Sequence, residues 1–262
     1  MHQARLATGV TLPYVVTGDP SGPPLLLVHP WGEAHGCFDR LVPLLPPSLR
    51  AIAMDQRGHG HASKPGTGYE LADFASDLAA FLDALEITRA VVLGSSSGGY
   101  VAQQLAVSHP ERVEGLVLVG APRSLRGRPS FADEVDQLSD PIDPEWVRQS
   151  LTWFPTMAAV PSWYVADRIA DGLCMPAHVW RQTLDGLCAA VPPTEVATIR
   201  APTLVIWGAR DELLPRADQE ALVAAIPSSR LIVYADTGHP VLWEQPGRGA
   251  ADTAAFVKGG PG

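Results

Sequence analysis

The stretch Ala90-Val91-Val92-Leu93-Gly94-Ser95-Ser96-Ser97-Gly98-Gly99-Tyr100 decides the reading of this 262-residue chain. Ala90–Leu93 is a continuous apolar run, the pattern of a strand buried on both faces. Gly98–Val107 follows with helical spacing. Between them lies Gly-x-Ser-x-Gly, in which Gly94 and Gly98 bracket Ser96 two residues to each side. The pentapeptide alone arises often by chance, so its place between strand and helix carries the weight. The flanking glycines let the chain turn sharply and let helix pack on strand. Ser96 is then held exposed at the turn, with Ser95 and Ser97 beside it. Its hydroxyl sits at the helix amino end, where unpaired N–H groups favour developing negative charge.

Outward from this segment, similar apolar runs recur at Leu25–Val28, Ala51–Met54, Gly115–Val119, Thr203–Trp207 and Leu231–Tyr234. Arg5–Thr8 and Thr11–Thr17, separated by Gly9-Val10, suggest an antiparallel opening pair. Helical spacing is clearest at Leu71–Leu85, where Leu71, Phe74, Leu78, Phe81, Leu82 and Leu85 form one apolar stripe. Arg216–Ile226 and Ala250–Val257 read as helices too. Strands alternating with helices mean βαβ units and an α/β fold around a mostly parallel, twisted sheet.

The alternation breaks between about Pro122 and Arg200. This stretch holds Trp146, Trp153, Trp163 and Trp180, four of the seven tryptophans. It reads as short helices at Asp143–Ser150, Ser162–Leu173 and Met175–Ala189. A helical insertion in a parallel-sheet domain covers the carboxyl edge of the strands, where ligands bind. The expected division is therefore a core at 1–121 and 199–262, with a helical cap at 122–198. The last residues, Gly259-Gly260-Pro261-Gly262, read as a frayed tail.

Composition narrows the function classes. The chain is 46% hydrophobic and 18% charged, enough apolar content for a full core without disulfide or metal staples. Its net charge of −9 argues against nucleic-acid and anionic-membrane partners, which require clustered positive charge. No apolar run approaches the roughly 20 residues that span a bilayer, and the start lacks an apolar leader core. Cys37, Cys174 and Cys188 are odd in number and lack metal spacing, which fits a reduced, cytoplasmic setting. Cys37 reads as a small buried hydrophobe.

A serine hydroxyl is a weak nucleophile and needs a base with an orienting acid. The strand–serine–helix turn resembles that of α/β-hydrolases, a resemblance that implies an acid and a histidine later in the chain. Thr203–Trp207 leads into Gly208-Ala209-Arg210-Asp211, which makes Asp211 the orienter candidate and Glu212 its competitor. Leu231–Tyr234 leads into Thr237-Gly238-His239, which makes His239 the candidate base. His29, His59 and His61 precede the serine. His59-Gly60-His61 hints at metal, but further ligands with suitable spacing are missing. The reading is therefore no metal and no cofactor.

The sequence resembles the α/β-hydrolase fold superfamily, in its capped, cofactor-independent serine esterase and lactonase branch. The resemblance covers nearly the whole chain. Besides the serine segment it rests on Leu27-Val28-His29-Pro30-Trp31-Gly32, Asp55-Gln56-Arg57-Gly58-His59-Gly60-His61-Ala62-Ser63, Gly208-Ala209-Arg210-Asp211 and Gly238-His239-Pro240-Val241-Leu242-Trp243-Glu244-Gln245-Pro246. It implies Ser96, His239 and Asp211 as a catalytic triad. It also implies an oxyanion hole from the backbone N–H groups of Ser97 and Trp31. Relatives carry His-Gly where this chain has His29-Pro30. Proline removes one N–H and restricts φ, but leaves the Trp31 donor in place. Asp55-x-Arg57-Gly58-His59-Gly60 is implied as a structural loop.

Serine at the turn, where other members carry aspartate, points to acyl transfer and away from dehalogenase and epoxide hydrolase chemistry. The expected substrate is an apolar or aromatic small-molecule ester or lactone, similar to those of enol-lactone hydrolases and small carboxylesterases. Trp153, Phe154, Met157, Trp163, Trp180 and Pro240 are the expected pocket residues. Three rivals stand: a carbon–carbon hydrolase of ring-cleavage type, a cofactor-free perhydrolase, and a non-catalytic ligand receptor on the same fold. A homodimer is left open.

Overall fold

The structure, a computed structural model, describes residues 1–259. From Gly260 on, the expected frayed tail lies outside the described residues. The strands are β1 (His2–Arg5), β2 (Thr11–Gly18), β3 (Pro24–Val28), β4 (Arg50–Met54), β5 (Ala90–Ser95), β6 (Val113–Val119), β7 (Thr203–Gly208) and β8 (Ser229–Tyr234). They form one sheet in the order β1-β2-β4-β3-β5-β6-β7-β8. β1 and β2 pair antiparallel, as does β2 with β4, and the remaining pairs are parallel.

One expected strand is displaced. Arg5–Thr8 is not a strand beyond Arg5, because Leu6 N–H donates to Val10 O and Gly9 N–H to Leu6 O, closing a turn. β1 therefore starts at His2, with Arg5 opposite Thr11.

The central parallel strands are mostly apolar because both their faces are covered, whereas β8, at the edge, carries Ser229 and Arg230 and is only partly buried. Leu26 and Val28 pack into one core beneath α1 (Leu71–Ala84) and α2 (Ser97–Ser108). Leu25 and Leu27 pack into a second core with Phe38, Leu41 and Phe256. Alternate side chains of a strand point to opposite faces, so each strand feeds both cores.

Between β6 and β7 the chain runs through α3 (Ala132–Asp136), α4 (Pro144–Ser150), α5 (Ser162–Leu173), α6 (Ala177–Ala189) and α7 (Pro193–Val196). α8 (Arg216–Ala225), α9 (Val241–Glu244) and α10 (Pro246–Lys258) follow. α10 begins earlier than the expected Ala250, with its proline in the first turn, where a missing N–H costs nothing. No helix among the described residues is long and apolar enough to cross a membrane.

Strand order places the site. The chain moves outward from β3 to β4, then returns to β5 on the other side of β3. Such a reversal opens a crevice at the carboxyl ends of the two central strands. Val28 of β3 lies opposite Gly94 of β5, so the loops holding Trp31 and Ser96 leave the sheet side by side. β7 and β8 are also neighbours, with Gly208 opposite Tyr234, which brings the Asp211 and His239 loops together.

Candidate active site

Ser96 sits between β5 and α2 with φ 49° and ψ −124°, a left-handed conformation that a non-glycine residue rarely adopts. Its N–H is tied to Val119 O at 2.8 Å, and its carbonyl accepts from Gly99 N–H at 2.8 Å. The two bracketing glycines make that turn feasible by close approach. A Cβ on Gly94 would lie 2.5 Å from Gly98 O, and one on Gly98 would lie 2.3 Å from Val28 O. Helix α2 thus rests directly on strand backbone, and Ser96 is strained upward at its tip.

Ser96 Oγ lies 2.9 Å from His239 Nε2. His239 Nδ1 lies 2.8 Å from Asp211 Oδ2. A carboxylate only accepts, so Nδ1 carries the ring proton and Nε2 is left to accept from the serine hydroxyl. The other Asp211 oxygen accepts from the N–H groups of Leu213 and Leu214, each at 2.9 Å. Asp211 is buried, whereas Glu212 is exposed and turned to solvent. Geometry therefore separates the two candidate acids. Gly238 N–H, just before the histidine, donates to Glu244 Oε1 at 2.8 Å. Glu244 Oε2 accepts from the N–H groups of Met157 and Ala158, each at 2.9 Å. One buried carboxylate thus joins the histidine loop to the helical insertion.

The expected oxyanion donors adjoin the serine, but in a form the sequence did not foretell. Ser97 N–H opens α2 and has no intrahelical acceptor. Trp31 N–H donates to Ser97 Oγ at 2.8 Å. The proline before Trp31 is accommodated because the preceding histidine is locked. His29 Nε2 accepts from Gln56 N–H at 2.9 Å, and Nδ1 donates to Pro30 O at 2.8 Å. Burial lowers His29 to about 4, so the ring is neutral at physiological pH. His59 is likewise buried and lowered to about 3, with Nδ1 donating to Arg57 O.

Within the Asp55–His61 segment, Asp55 and Arg57 are paired inside the protein. Asp55 accepts from His35 Nδ1 at 2.6 Å, and from the N–H groups of His35 and His61 at 2.9 Å each. Burial alone would raise this carboxyl, yet those bonds bring it down to about 2. Arg57 pairs with Asp77 at 2.5 and 2.6 Å. Cys37 is buried, in keeping with its reading as a small hydrophobe.

Above Ser96 lies a cavity of about 330 Å³, bordered by Trp31, Ser97, His239, Pro240 and residues of the insertion. Of the six candidate pocket residues, Phe154 and Pro240 border it, and the Phe154 ring centroid stands 5.4 Å from that of His239. Trp153, Met157, Trp163 and Trp180 do not line it. Trp153 stacks behind Phe131 at 4.3 Å, and Trp180 packs edge-on behind Trp31 at 4.8 Å. Met157 and Trp163 face solvent, 47% and 52% exposed. The walls come instead from Leu125, Phe131, Leu184, Leu187, Leu213 and Leu214. Arg126, Arg128, Glu33 and Asp218 add ionisable groups to a lining that otherwise mixes these apolar walls with Ser95, Ser124 and the serine–histidine pair. Burial raises Glu33 to about 7, against the pull of the nearby Arg168. Size ranked the tryptophans first, but large rings serve equally well as a second row that props the lining.

The crevice position, the strained serine on a strand–helix turn and the acid and histidine on the next loops define a hydrolase architecture of the α/β class. The chain belongs to the alpha/beta hydrolase family, which it matches over residues 25–253. It is 32% identical to the 2-hydroxymuconate semialdehyde hydrolase of Pseudomonas sp. strain CF600, over 90% of this chain and 87% of that protein. An esterase from Rhodococcus sp. ECU1013 superposes with a TM-score of 0.83 at 27% identity, covering 98% of both chains. The enol-lactonase of Burkholderia xenovorans LB400 superposes with a TM-score of 0.85, over 98% of this chain and 100% of that one. At 22% identity, that last likeness bears on the fold alone.

Proposed function

We propose that the protein is a serine hydrolase that cleaves a carboxylic ester or lactone of an apolar or aromatic small molecule through an acyl-enzyme. The observation that carries this reading is the unbroken relay from Ser96 Oγ to His239 at 2.9 Å and on to Asp211 at 2.8 Å, opening into the apolar cavity. Ser96 attacks the carbonyl carbon as His239 takes its proton. Asp211 stabilises the resulting imidazolium and holds its tautomer. The tetrahedral oxyanion is met by the donors around Ser97 and Trp31. His239 then returns the proton to the leaving alkoxide, giving an alcohol, or the tethered hydroxyl of an opened lactone. Water, deprotonated by the same histidine, cleaves the acyl-enzyme to the acid and frees Ser96.

The test is labelling by a fluorophosphonate probe, followed by turnover of esters and of lactones of rising ring size. Wild type should label and turn over apolar esters or lactones, and Ser96→Ala should do neither. Equal labelling of both proteins would refute Ser96 as nucleophile. A second reading, hydrolysis of a carbon–carbon bond, is favoured by the 32% identical semialdehyde hydrolase. Product analysis on a vinylogous diketone acid separates the two, since only carbon–carbon cleavage shortens that carbon chain.

A further inference from the structure

The hydrogen bond from Trp31 N–H to Ser97 Oγ alters what the serine site can offer an oxyanion. A backbone N–H has one proton, and this one is already given to a side chain. The acceptor, however, is a hydroxyl, which accepts through its lone pairs and still has its own proton to donate. Ser97 and Trp31 both border the cavity that holds Ser96 and His239. Resting on the proposed Ser96 chemistry, we infer that the Ser97 hydroxyl is itself an oxyanion donor: Trp31 N–H polarises it, and it passes that polarisation to the developing charge.

The physical argument has two parts. A hydroxyl that accepts one hydrogen bond becomes a stronger donor in the next. Its rotor can then choose among acceptors. On its other side Ser97 borders a small cavity of about 10 Å³, shared with Gln56, His59 and Thr183. Gln56 Oε1, His59 Nε2 and Thr183 Oγ1 are buried there without partners. Those acceptors are neutral. Attack by Ser96 creates an anion in the large cavity, and hydrogen bonds to an ionised acceptor are roughly twice as strong as neutral ones. The proton therefore turns toward the oxyanion as the charge develops. The hydroxyl supplements the Ser97 amide, and Trp31 acts through it instead of directly.

The experiment measures the rate of Ser96 labelling by a fluorophosphonate, whose phosphonyl oxygen gains negative charge as Ser96 attacks and fluoride leaves, whatever the natural substrate. Wild type, Ser97→Ala, Ser97→Thr and Ser96→Ala are compared, with thermal melting to check folding. The expected result is a fall of about a hundredfold in labelling rate for S97A. S97T, which retains a hydroxyl, should recover most of it. Labelling of S97A as fast as wild type, or faster, would overturn the proposal, because the hydroxyl would then merely occupy the Trp31 amide. Equal loss in S97A and S97T would overturn it too, as the signature of packing. Labelling of S96A as fast as wild type would sink the nucleophile assignment and this inference with it. Retained dependence on Ser96 with an undiminished S97A rate would sink this inference alone.

Discussion

On the sheet side of the cavity, Ser96, His239 and Asp211 are held by hydrogen bonds to one another and to the backbone. On the insertion side, the walls are held by rings packed on rings, as in Phe131 on Trp153 and Trp146 on Trp180. The two sides meet at Glu244, whose carboxylate takes amides from both. Hydrogen-bonded geometry is intolerant, because displacing a group by about an ångström can cost roughly a hundredfold in rate. Ring packing is forgiving, because many small contacts share the load. The sheet side should therefore govern the rate of chemistry, and the insertion should govern which molecule is admitted.

Substitutions can break that division, beginning with the largest effect. Ser96→Ala should lower kcat by about 10⁶-fold, with the fold intact by circular dichroism. Asp211→Asn should lower kcat by about 10⁴-fold through loss of the correct His239 tautomer, while Glu212→Gln leaves kcat within about twofold. A comparable fall for Glu212→Gln would move the orienting role to the exposed acid. Phe131→Ala or Leu187→Ala, on the insertion side, should change kcat/KM by roughly tenfold and reorder preference among acyl groups. Should either variant lose as much kcat as Asp211→Asn, the two sides would not be separable. Trp163→Ala should be the mildest, within about 0.5 kcal/mol in stability and unchanged in KM, because its ring faces solvent.

Two buried histidines on the loops after β3 and β4 add a pH test of the sheet side. His29 and His59 are held neutral, lowered from 6.5 to about 4 and about 3 by burial. The unfolded chain takes up these protons as pH falls below about 6.5, while the folded chain refuses them. Stability from this source is thus present above 6.5 and is lost as pH falls toward 4. The slope reaches about 1.4 kcal/mol per pH unit for each ring. Denaturant melts from pH 7 to 4 measure it. His59→Gln should flatten the curve, and an unchanged slope would mean the rings are not held neutral.

Local pattern carried most of the sheet side. Leu25–Val28, Ala90–Leu93 and Thr203–Trp207 announce buried strands because a strand covered on both faces admits no polar alternation. Gly94 and Gly98 announce the turn because no larger residue fits against Gly98 O and Val28 O. The chain order implied by the resemblance then offers Asp211, with Glu212 beside it, and His239 as partners of Ser96, and the structure sets Asp211 and His239 within hydrogen-bond distance. The slip at β1 has a local cause: the Leu6–Val10 turn is closed by backbone bonds that apolar spacing does not register.

The insertion was legible in kind and illegible in detail. The three expected helices fall within two residues of α4, α5 and α6, but α3 and α7 had no expected counterpart, and four of the six expected pocket residues lie elsewhere. Lining residues and propping residues are chemically alike, so composition does not distinguish Phe131 from Trp153, or Leu187 from Trp180. Nor does it tell that Trp31 N–H meets the Ser97 hydroxyl, a contact between residues 66 positions apart. What the sequence determined by itself were the features set by local sterics and period: the strands, the strained turn and the order of the reacting groups. Tertiary structure alone decided what those elements face, because facing depends on the packing of distant segments: which rings border the cavity, which carboxylate bridges the two sides, and which hydroxyl takes the Trp31 amide.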